Sequence, residues 1–383
     1  MNRSAFMRAG RRCALAVSAA AVVCAGTLVP AASAQEPAES TARELGVSVS
    51  RETSTPEEIR AFWTPERVQK ALDNPMTPPT AAAAAPAKAS GDAPRKGANE
   101  IVASAPAVGP AAGGPGATRA AFGDAATAVA NKAAADIAVS QPVPMTSVYP
   151  MNLVGKLFIY DEQGKELSTC SAAVINTRTK STIWTAAHCV HKGDNSGQAG
   201  FHKKLMFRPA YNKGQTPWGD WTVTAKYAPV GYTEQGDSLE SDFAAAELAP
   251  LAPYGKIVDA MGGFGYSFGS ADHPEAVTAG YPGEGYKRTD LDAERMMACY
   301  GNAEDNANFN PFDNRIKMDC DMGKGSSGGP MAVQSSTSGI QIIGANSHYL
   351  ADATTNQRIN DDLLSSEHGV RAANVIDAVN AGA

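Results

Sequence analysis

The stretch Gly325-Ser326-Ser327-Gly328-Gly329-Pro330 places a serine inside a run of glycines, and it gains meaning beside Thr185-Ala186-Ala187-His188-Cys189 upstream. A serine hydroxyl is a weak nucleophile at neutral pH, so a base must take its proton during attack, and histidine titrates in the required range. The flanking glycines let the backbone turn tightly, so that the amides of Gly325 and Ser327 can point at one developing oxyanion. The two stretches therefore predict Ser327 as a nucleophile and His188 as its base.

A base of this kind needs a carboxylate that orients its imidazole ring. Asp242 begins the apolar run 242–248 and lies between the histidine and the serine in the chain. Asp237 is the nearby alternative, but it lies in the polar loop Gln235-Gly236-Asp237-Ser238. We therefore predict Asp242 as the third catalytic residue.

These three patterns resemble the T-A-A-H-C, D-x-A and G-D-S-G-G-P motifs of the chymotrypsin-like serine peptidases. The resemblance covers residues 148–383 and is strongest to secreted bacterial trypsin-like and glutamyl-endopeptidase-like members, through Val154-Gly155-Lys156-Leu157-Phe158 and Ala279-Gly280-Tyr281-Pro282-Gly283. It implies an all-β domain of two antiparallel β-barrels with the active site in the cleft between them. It also implies a secreted, monomeric serine endopeptidase that cleaves protein or peptide substrates through an acyl-enzyme, without cofactor or metal.

Short β-rich runs separated by Gly, Pro, Asn and Asp independently favour an all-β barrel or sandwich. A hairpin is predicted from residues 154–160 and 170–175 around the turn at 161–164. Further strands are predicted over residues 182–186, 204–208, 221–227, 243–248, 277–281 and 340–344. A C-terminal helix is predicted over residues 370–380, because apolar residues recur there at helical spacing.

The first 34 residues are typical of a secretory signal peptide. Four arginines precede an apolar run that ends near the small-residue triplet Ala32-Ser33-Ala34, and we expect cleavage after Ala34. The apolar run is shorter than the roughly 20 residues that a spanning helix needs, so we expect no membrane attachment after cleavage. Arg11-Arg12 leaves the choice between the general and the twin-arginine export route open.

Residues 35–147 are rich in Ala, Pro, Gly, Ser and Thr, a composition that is predicted to be largely disordered. Thr55-Pro56-Glu57-Glu58 interrupts it with the signature of a capped helix, and apolar residues continue to Leu72. This short helix near 55–72 is either part of a pro-segment that docks in cis or a weakly ordered helix in a linker. Phe62-Trp63-Thr64-Pro65-Glu66-Arg67 resembles the pro-segments of the same bacterial peptidases, which implies a zymogen.

Removal of the signal peptide leaves four cysteines in an exported chain, which allow three pairings. The local pairing, Cys170 with Cys189 and Cys299 with Cys320, closes loops that are each worth about 3 kcal/mol. A zinc site is the competing interpretation, but these cysteines lack the C-x-x-C spacing that zinc sites favour. The net charge of −6 provides no basic stripe, so nucleic acid is not an expected partner.

Substrate specificity is the least determined property. The resemblance to trypsins implies a pocket-floor carboxylate six residues before the nucleophile, at Asp321, which would select Arg or Lys side chains. The alternative is a loop carboxylate beside a disulfide, because the cysteine that the family has at position 323 is here Cys320. The pocket wall is expected from Asn346, Ser347 and His348, and His348 could instead support an acidic preference like that of glutamyl endopeptidases. His191, His202 and His273 are expected at the surface.

One departure from the trypsins concerns activation. Ser326 stands where they have an aspartate that pairs with a new N-terminal amine, and no Ile-Val-Gly-Gly sequence occurs near residue 150. The same departure leaves room for a non-catalytic, protease-like binding protein as the alternative function. An esterase of the G-x-S-x-G type is excluded, because its histidine follows the serine.

Overall fold

The computed structural model describes residues 35–82, 101–103, 139–269, 272–305, 315–366 and 368–382. In this part of the chain two closed, six-stranded antiparallel barrels pack side by side, which confirms the all-β prediction. The strands are β1 Val47–Arg51, β2 Thr80–Ala82, β3 Ile101–Val102, β4 Gln141–Pro142, β5 Val154–Asp161, β6 Glu166–Ile175, β7 Thr182–Thr185, β8 Lys203–Pro209, β9 Trp221–Pro229, β10 Ala244–Leu248, β11 Gly265–Ser267, β12 His273–Gly280, β13 Met297–Asp305, β14 Ile316–Asp319, β15 Pro330–Ser335, β16 Gly339–Ala351 and β17 Asp362–Ser365. The predicted signal peptide lies outside the described residues.

The first barrel runs in the order β9-β10-β7-β6-β5-β8 and closes where β8 pairs with β9. Strand β7 has the sequence Thr-Ile-Trp-Thr and is buried along its whole length, because the barrel interior and the neighbouring elements cover both of its faces. Trp184 of this strand stacks on Phe243, which precedes β10. The disulfide Cys170–Cys189 ties β6 to the turn after β7, as predicted.

The second barrel runs in the order β15-β12-β13-β14-β17-β16 and closes where β15 pairs with β16. The long strand β16 pairs with β15 in its first half and with β17 further on, so it spans the barrel from one side to the other. The disulfide Cys299–Cys320 joins β13 to the residue after β14, again as predicted. Strands β3 and β4 add single short pairings from residues that precede the barrels.

The described helices are α1 Gln35–Glu44, α2 Pro56–Phe62, α3 Pro65–Leu72, α4 Val230–Glu234, α5 Ile257–Met261 and α6 Val370–Ala381. Helix α6 confirms the predicted C-terminal helix, and it buries Val375, Ile376 and Val379 in the main hydrophobic core. None of the helices in the described ranges is long and apolar enough to cross a membrane.

Residues 35–82, here called the N-terminal segment, pack mainly on the first barrel, and their last strand, β2, pairs with β16 of the second. Strand β1 adds to the edge of β9 in antiparallel register, with Val47 opposite Pro229. Helix α2 has the full capping box at Thr55 and Glu58 that the sequence predicts. Beyond it, Trp63 is buried against Phe158 and donates its indole N–H to the backbone oxygen of Lys204 over 2.7 Å. Residues 47–63 therefore contact the first barrel through a β-strand, a capped helix and the buried side chain of Trp63.

A buried ion pair also joins this segment to the barrel. The Lys226 ammonium, which is fully buried, lies 3.8 Å from a carboxylate oxygen of Glu52 and donates to the backbone oxygen of His202 over 2.9 Å. Burial lowers the pKa of Lys226 to about 8, although the charge of Glu52 opposes this shift. Burial acts to raise the pKa of Glu52, but Lys226 and the amides of residues 53, 54 and 204 outweigh it and lower that pKa.

We expect Glu52→Gln to lower the free energy of unfolding by about 3 kcal/mol at pH 7, because it leaves the buried Lys226 without its counter-charge. The folded-state pKa of Glu52 is lowered, so its contribution is complete above about pH 4.3 and is lost as the pH falls further. Chemical denaturation of both proteins at pH 7 and pH 3 measures this difference. The exposed Glu57→Gln is the control, and an equal loss in both variants would contradict the assignment.

Candidate active site

Strand pairing in the first barrel brings the predicted base and acid together. His188 lies in the single 3-10 turn that follows β7, and Asp242 lies just before β10, which pairs with β7. One Asp242 oxygen accepts from the His188 ring Nδ1 and the other from the His188 backbone N–H, both over 2.8 Å. The alternative acid, Asp237, instead accepts from the side chains of Arg371 and Ser241. Of the two candidates, Asp242 is the one that contacts the imidazole.

The glycine-rich loop places Ser327 at the junction of the two barrels. The Ser327 backbone oxygen accepts from the Ser171 N–H of β6 over 2.7 Å. A Cβ at Gly328 would lie 2.0 Å from the Thr185 hydroxyl, and a Cβ at Gly329 would lie 2.0 Å from the Ala279 backbone oxygen. Only glycine therefore lets this loop touch the backbones of both barrels, and Gly328 also has a positive φ of 80°.

The histidine has one ring nitrogen left for chemistry. Its Nε2 is buried and makes no hydrogen bond to any described residue. The Ser327 backbone oxygen lies 3.7 Å from the sulfur of Cys189, the residue that follows His188, so the glycine-rich loop contacts the turn that carries the imidazole. Since Nδ1 donates to Asp242, Nε2 is the nitrogen that can accept a proton.

The second barrel supports the carboxylate through a chain of hydrogen bonds. The Ser347 hydroxyl donates to Asp242 over 2.6 Å and lies 2.7 Å from His348 Nδ1. The other ring nitrogen of His348 lies 3.0 Å from the Arg315 guanidinium, which can only donate. His348 is therefore neutral with its proton on Nδ1, which makes Ser347 the acceptor from His348 and the donor to Asp242.

Electrostatics keep Asp242 ionised. Its side chain is fully buried, and burial alone would raise its pKa. The nearby His188 and hydrogen bonds from His188 and Ser347 outweigh burial, so the pKa of Asp242 is lowered below its ordinary value. Behind it, Ser366 Oγ accepts from the Asp242 backbone N–H over 3.1 Å. No sequence pattern marked Ser366 or Arg315, because their partners lie far away in the chain.

The predicted specificity residues have other partners. Asn346 is buried and holds the glycine-rich loop: its backbone oxygen accepts from Gly328 N–H over 2.7 Å, and its backbone N–H donates to Gly329. Asp321 is also buried, and its carboxylate accepts from Arg288 over 3.0 Å and from the Ser140 backbone N–H over 2.9 Å. A carboxylate that is already paired in this way does not require a substrate cation, which argues against its predicted role as a selector of Arg or Lys.

The predicted surface positions of His191 and His202 are wrong. Both histidines are buried rather than exposed. The ring of His191 accepts from Gly193 N–H and contacts the Gly197 backbone oxygen, so its loop folds over it. Burial lowers the pKa of His202 to about 4. Ser326, which replaces the trypsin aspartate, donates its hydroxyl to the backbone oxygen of Gly323 within its own loop.

The described residues contain two clusters of three side chains with metal-ligand atoms close together. One is Cys170, His188 and Cys189, and the other is Cys299, Cys320 and Asp321. The cysteines of both clusters are oxidised to disulfides, so they have no thiolate to offer a metal ion.

No family model matches the chain, and neither does any curated protein. Among solved structures it is similar to the protease Anisep from Arthrobacter nicotinovorans, with 27% identity, a TM-score of 0.50, and coverage of 59% of this chain and 95% of that one. A thermostable serine protease, AL20, from an extremophilic microorganism matches at 22% identity and a TM-score of 0.47, covering 60% of this chain and 97% of its own. A Glu endopeptidase matches at 19% identity and a TM-score of 0.47, covering 65% and 98%. Two closed antiparallel barrels and the likeness to Anisep establish that this chain has the chymotrypsin-like fold of the serine proteases.

Proposed function

We propose that this protein is a secreted serine endopeptidase that hydrolyses peptide bonds through an acyl-enzyme intermediate. The observation that carries the proposal is the buried hydrogen-bonded pair of His188 and Asp242, together with the contact between the Ser327 backbone and Cys189, the residue that follows His188. Two disulfides are in keeping with an oxidising, extracellular location. Protein or peptide substrates follow from the protease fold.

In the proposed reaction, Ser327 Oγ attacks the peptide carbonyl carbon while His188 Nε2 takes the hydroxyl proton. The carbonyl oxygen becomes an oxyanion, which the N–H groups of Gly325 and Ser327 stabilise. Collapse of this intermediate breaks the C–N bond, and His188 gives its proton to the leaving amine. Water then repeats the sequence on the acyl-enzyme, with His188 again as base, and releases the carboxylic acid and Ser327.

Asp242 has two functions in this scheme. It holds the imidazole with its proton on Nδ1, and its negative charge stabilises the imidazolium that forms during attack. Ser347, predicted from the sequence as a substrate contact, is proposed instead as a positioning residue, because its hydroxyl is donated to Asp242. His348 and Arg315 extend the same chain away from the substrate.

We expect Ser327→Ala to abolish peptide hydrolysis and Asp242→Asn to lower kcat by about 10⁴-fold, because the amide favours the wrong imidazole tautomer. The measurement is labelling of the processed protein with an organophosphonate probe, located by peptide mass spectrometry, together with steady-state kinetics. Asp237→Asn removes the rejected acid and is expected to leave kcat unchanged. A wild-type protein that has been processed and freed of its N-terminal segment, but whose Ser327 still resists the probe, would favour the non-catalytic, binding-protein alternative.

Ser347→Ala tests the positioning function. Loss of one hydrogen bond to a charged group is expected to lower kcat by roughly tenfold and to leave KM unchanged. If KM rises instead while kcat is unchanged, then Ser347 contacts substrate, as the sequence predicted. The two kinetic parameters of wild type and variant on one peptide distinguish these results.

Asp321→Asn tests the pocket assignment. Because Asp321 is paired with Arg288, we expect the ratio of kcat/KM for Lys or Arg peptides over other peptides to stay constant. Stability is expected to fall by only about 2 kcal/mol, because Arg288 keeps its ion pair with Asp290. Profiling against a peptide library and chemical denaturation measure the two effects. A fall of about 10²-fold or more in the kcat/KM ratio for Lys or Arg peptides would instead support Asp321 as the residue that selects basic side chains.

A further inference from the structure

Residues 74–82 of the N-terminal segment, here called the cleft segment, continue from helix α3 across the proposed active site. They first meet the edge of β6. The Asn74 side chain donates to the Leu167 backbone oxygen over 2.9 Å, and the Met76 N–H donates to the Thr169 backbone oxygen over 2.9 Å. Pro75 forms a parallel bridge with Thr169. The Met76 sulfur lies 3.8 Å from Cys170, whose disulfide partner is next to the proposed base.

Two glycines form the seat for Pro75. A Cβ at Gly283 would lie 2.6 Å from Pro75 Cγ, and a Cβ at Gly325 would lie 3.0 Å from Pro75 Cβ. The proline ring is therefore in close contact with the backbone beside the proposed oxyanion site. Any side chain at residue 283 would therefore collide with the proline ring.

The cleft segment also takes one of the proposed oxyanion donors. The Gly325 N–H donates to the Met76 backbone oxygen over 3.0 Å, so a substrate oxyanion cannot use that N–H at the same time. Pro78 and Pro79 lack amide protons, and backbone pairing resumes only at β2. There Thr80–Ala82 pairs with Tyr349–Ala351 of β16, in parallel.

The direction of the cleft segment differs from that of a peptide that can be cleaved. If Asn346 to His348 of β16 form the pocket wall, as the sequence predicts, the residue whose carbonyl is attacked faces them, and the N-terminal half of a substrate is expected along β16. The leaving amine must face His188, so the C-terminal half lies toward the Cys170–Cys189 disulfide and Thr169. The cleft segment runs the other way, from Thr169 at Met76 to Tyr349 at Thr80.

We infer that the cleft between the barrels is a peptide-binding site whose resident ligand is the chain's own segment 74–82, bound in the reverse direction. The inference rests on the proposed peptidase function. A reversed peptide contacts β6 at one end and β16 at the other, and it occupies Gly325 N–H, so the order of its residues along the cleft is opposite to that expected of a substrate. The segment excludes substrate and is not itself cleaved.

Gly283→Ala tests the seat, because its methyl group would displace Pro75. In the full chain we expect the organophosphonate probe to modify Ser327 at least about tenfold faster in this variant than in wild type, equivalent to about 1.4 kcal/mol. Gly301→Ala, where a Cβ meets no atom within 4 Å, is the matched control and is expected to react like wild type. Equal rates for wild type and Gly283→Ala, with a reactive processed protein, would overturn the inference.

Pro75→Ala removes the Cγ that collides with the new methyl group. Combined with Gly283→Ala, it is expected to return labelling toward the slow wild-type rate. If the double variant is labelled as fast as Gly283→Ala, the faster labelling does not result from a collision with Pro75, and the proposed contact between Pro75 and Gly283 does not hold the segment in the cleft. Mass spectrometry of the incubated full chain tests the direction, because cleavage of the Met76–Thr77 bond would show a segment bound as a substrate.

Amide hydrogen exchange separates this inference from the proposed function, since it requires no catalysis. In the Ser327→Ala chain, the Gly325 N–H is expected to exchange at least about tenfold faster once Gly283→Ala is added. The Gly328 and Gly329 amides, which donate to Asn346 O and Ser326 O, are internal controls and should be unchanged. An unprotected Gly325 N–H would refute the bound segment, whereas a protected one in a protein that never reacts would refute only the peptidase.

Discussion

The carboxylate of Asp242 is the group on which the arrangement of the cleft depends. It is fully buried, and it accepts hydrogen bonds from the His188 ring and backbone in the first barrel and from Ser347 in the second. A buried charge is tolerated only when it is fully hydrogen-bonded, so the two barrels cannot separate or rotate without exposing an uncompensated anion. The same group that orients the proposed base therefore also fixes how the barrels meet.

The part of the site that sequence could predict is the part encoded locally. The glycines around Ser327 are required because the loop touches two backbones. Both strands that carry His188 and Asp242 at their ends, β7 and β10, were predicted, and their pairing in the structure brings the two residues together. The functions of Ser347 and Asp321 could not be predicted, because their hydrogen-bond partners lie about 30 to 180 residues away. Their residue types suggested that Ser347 and Asp321 bind substrate, whereas in the folded protein both side chains have hydrogen-bond partners within the chain.

Amino-acid composition gave a wrong prediction where only a few residues of a segment make its packing contacts. Strand β1, Val-Ser-Val-Ser-Arg, lies in a region read as low in complexity, yet its alternating apolar residues fit the edge of β9. Strands β13, β14, β15 and β17 had no strong alternation to identify them and were not predicted. His191 could be read as a surface residue because its burial depends on the loop of residues 193–200 folding over it.

The N-terminal segment is joined to the first barrel by a β-sheet as well as by the polypeptide chain. A cut C-terminal to residue 82 would leave two chains that still share the β1–β9 pairing and the Glu52–Lys226 ion pair. Departure of the smaller chain would expose the β9 edge and leave the Lys226 ammonium buried with the backbone oxygen of His202 but without a counter-charge. Scission alone would thus leave two associated chains, and the cleft segment would leave the site only when the smaller chain departs.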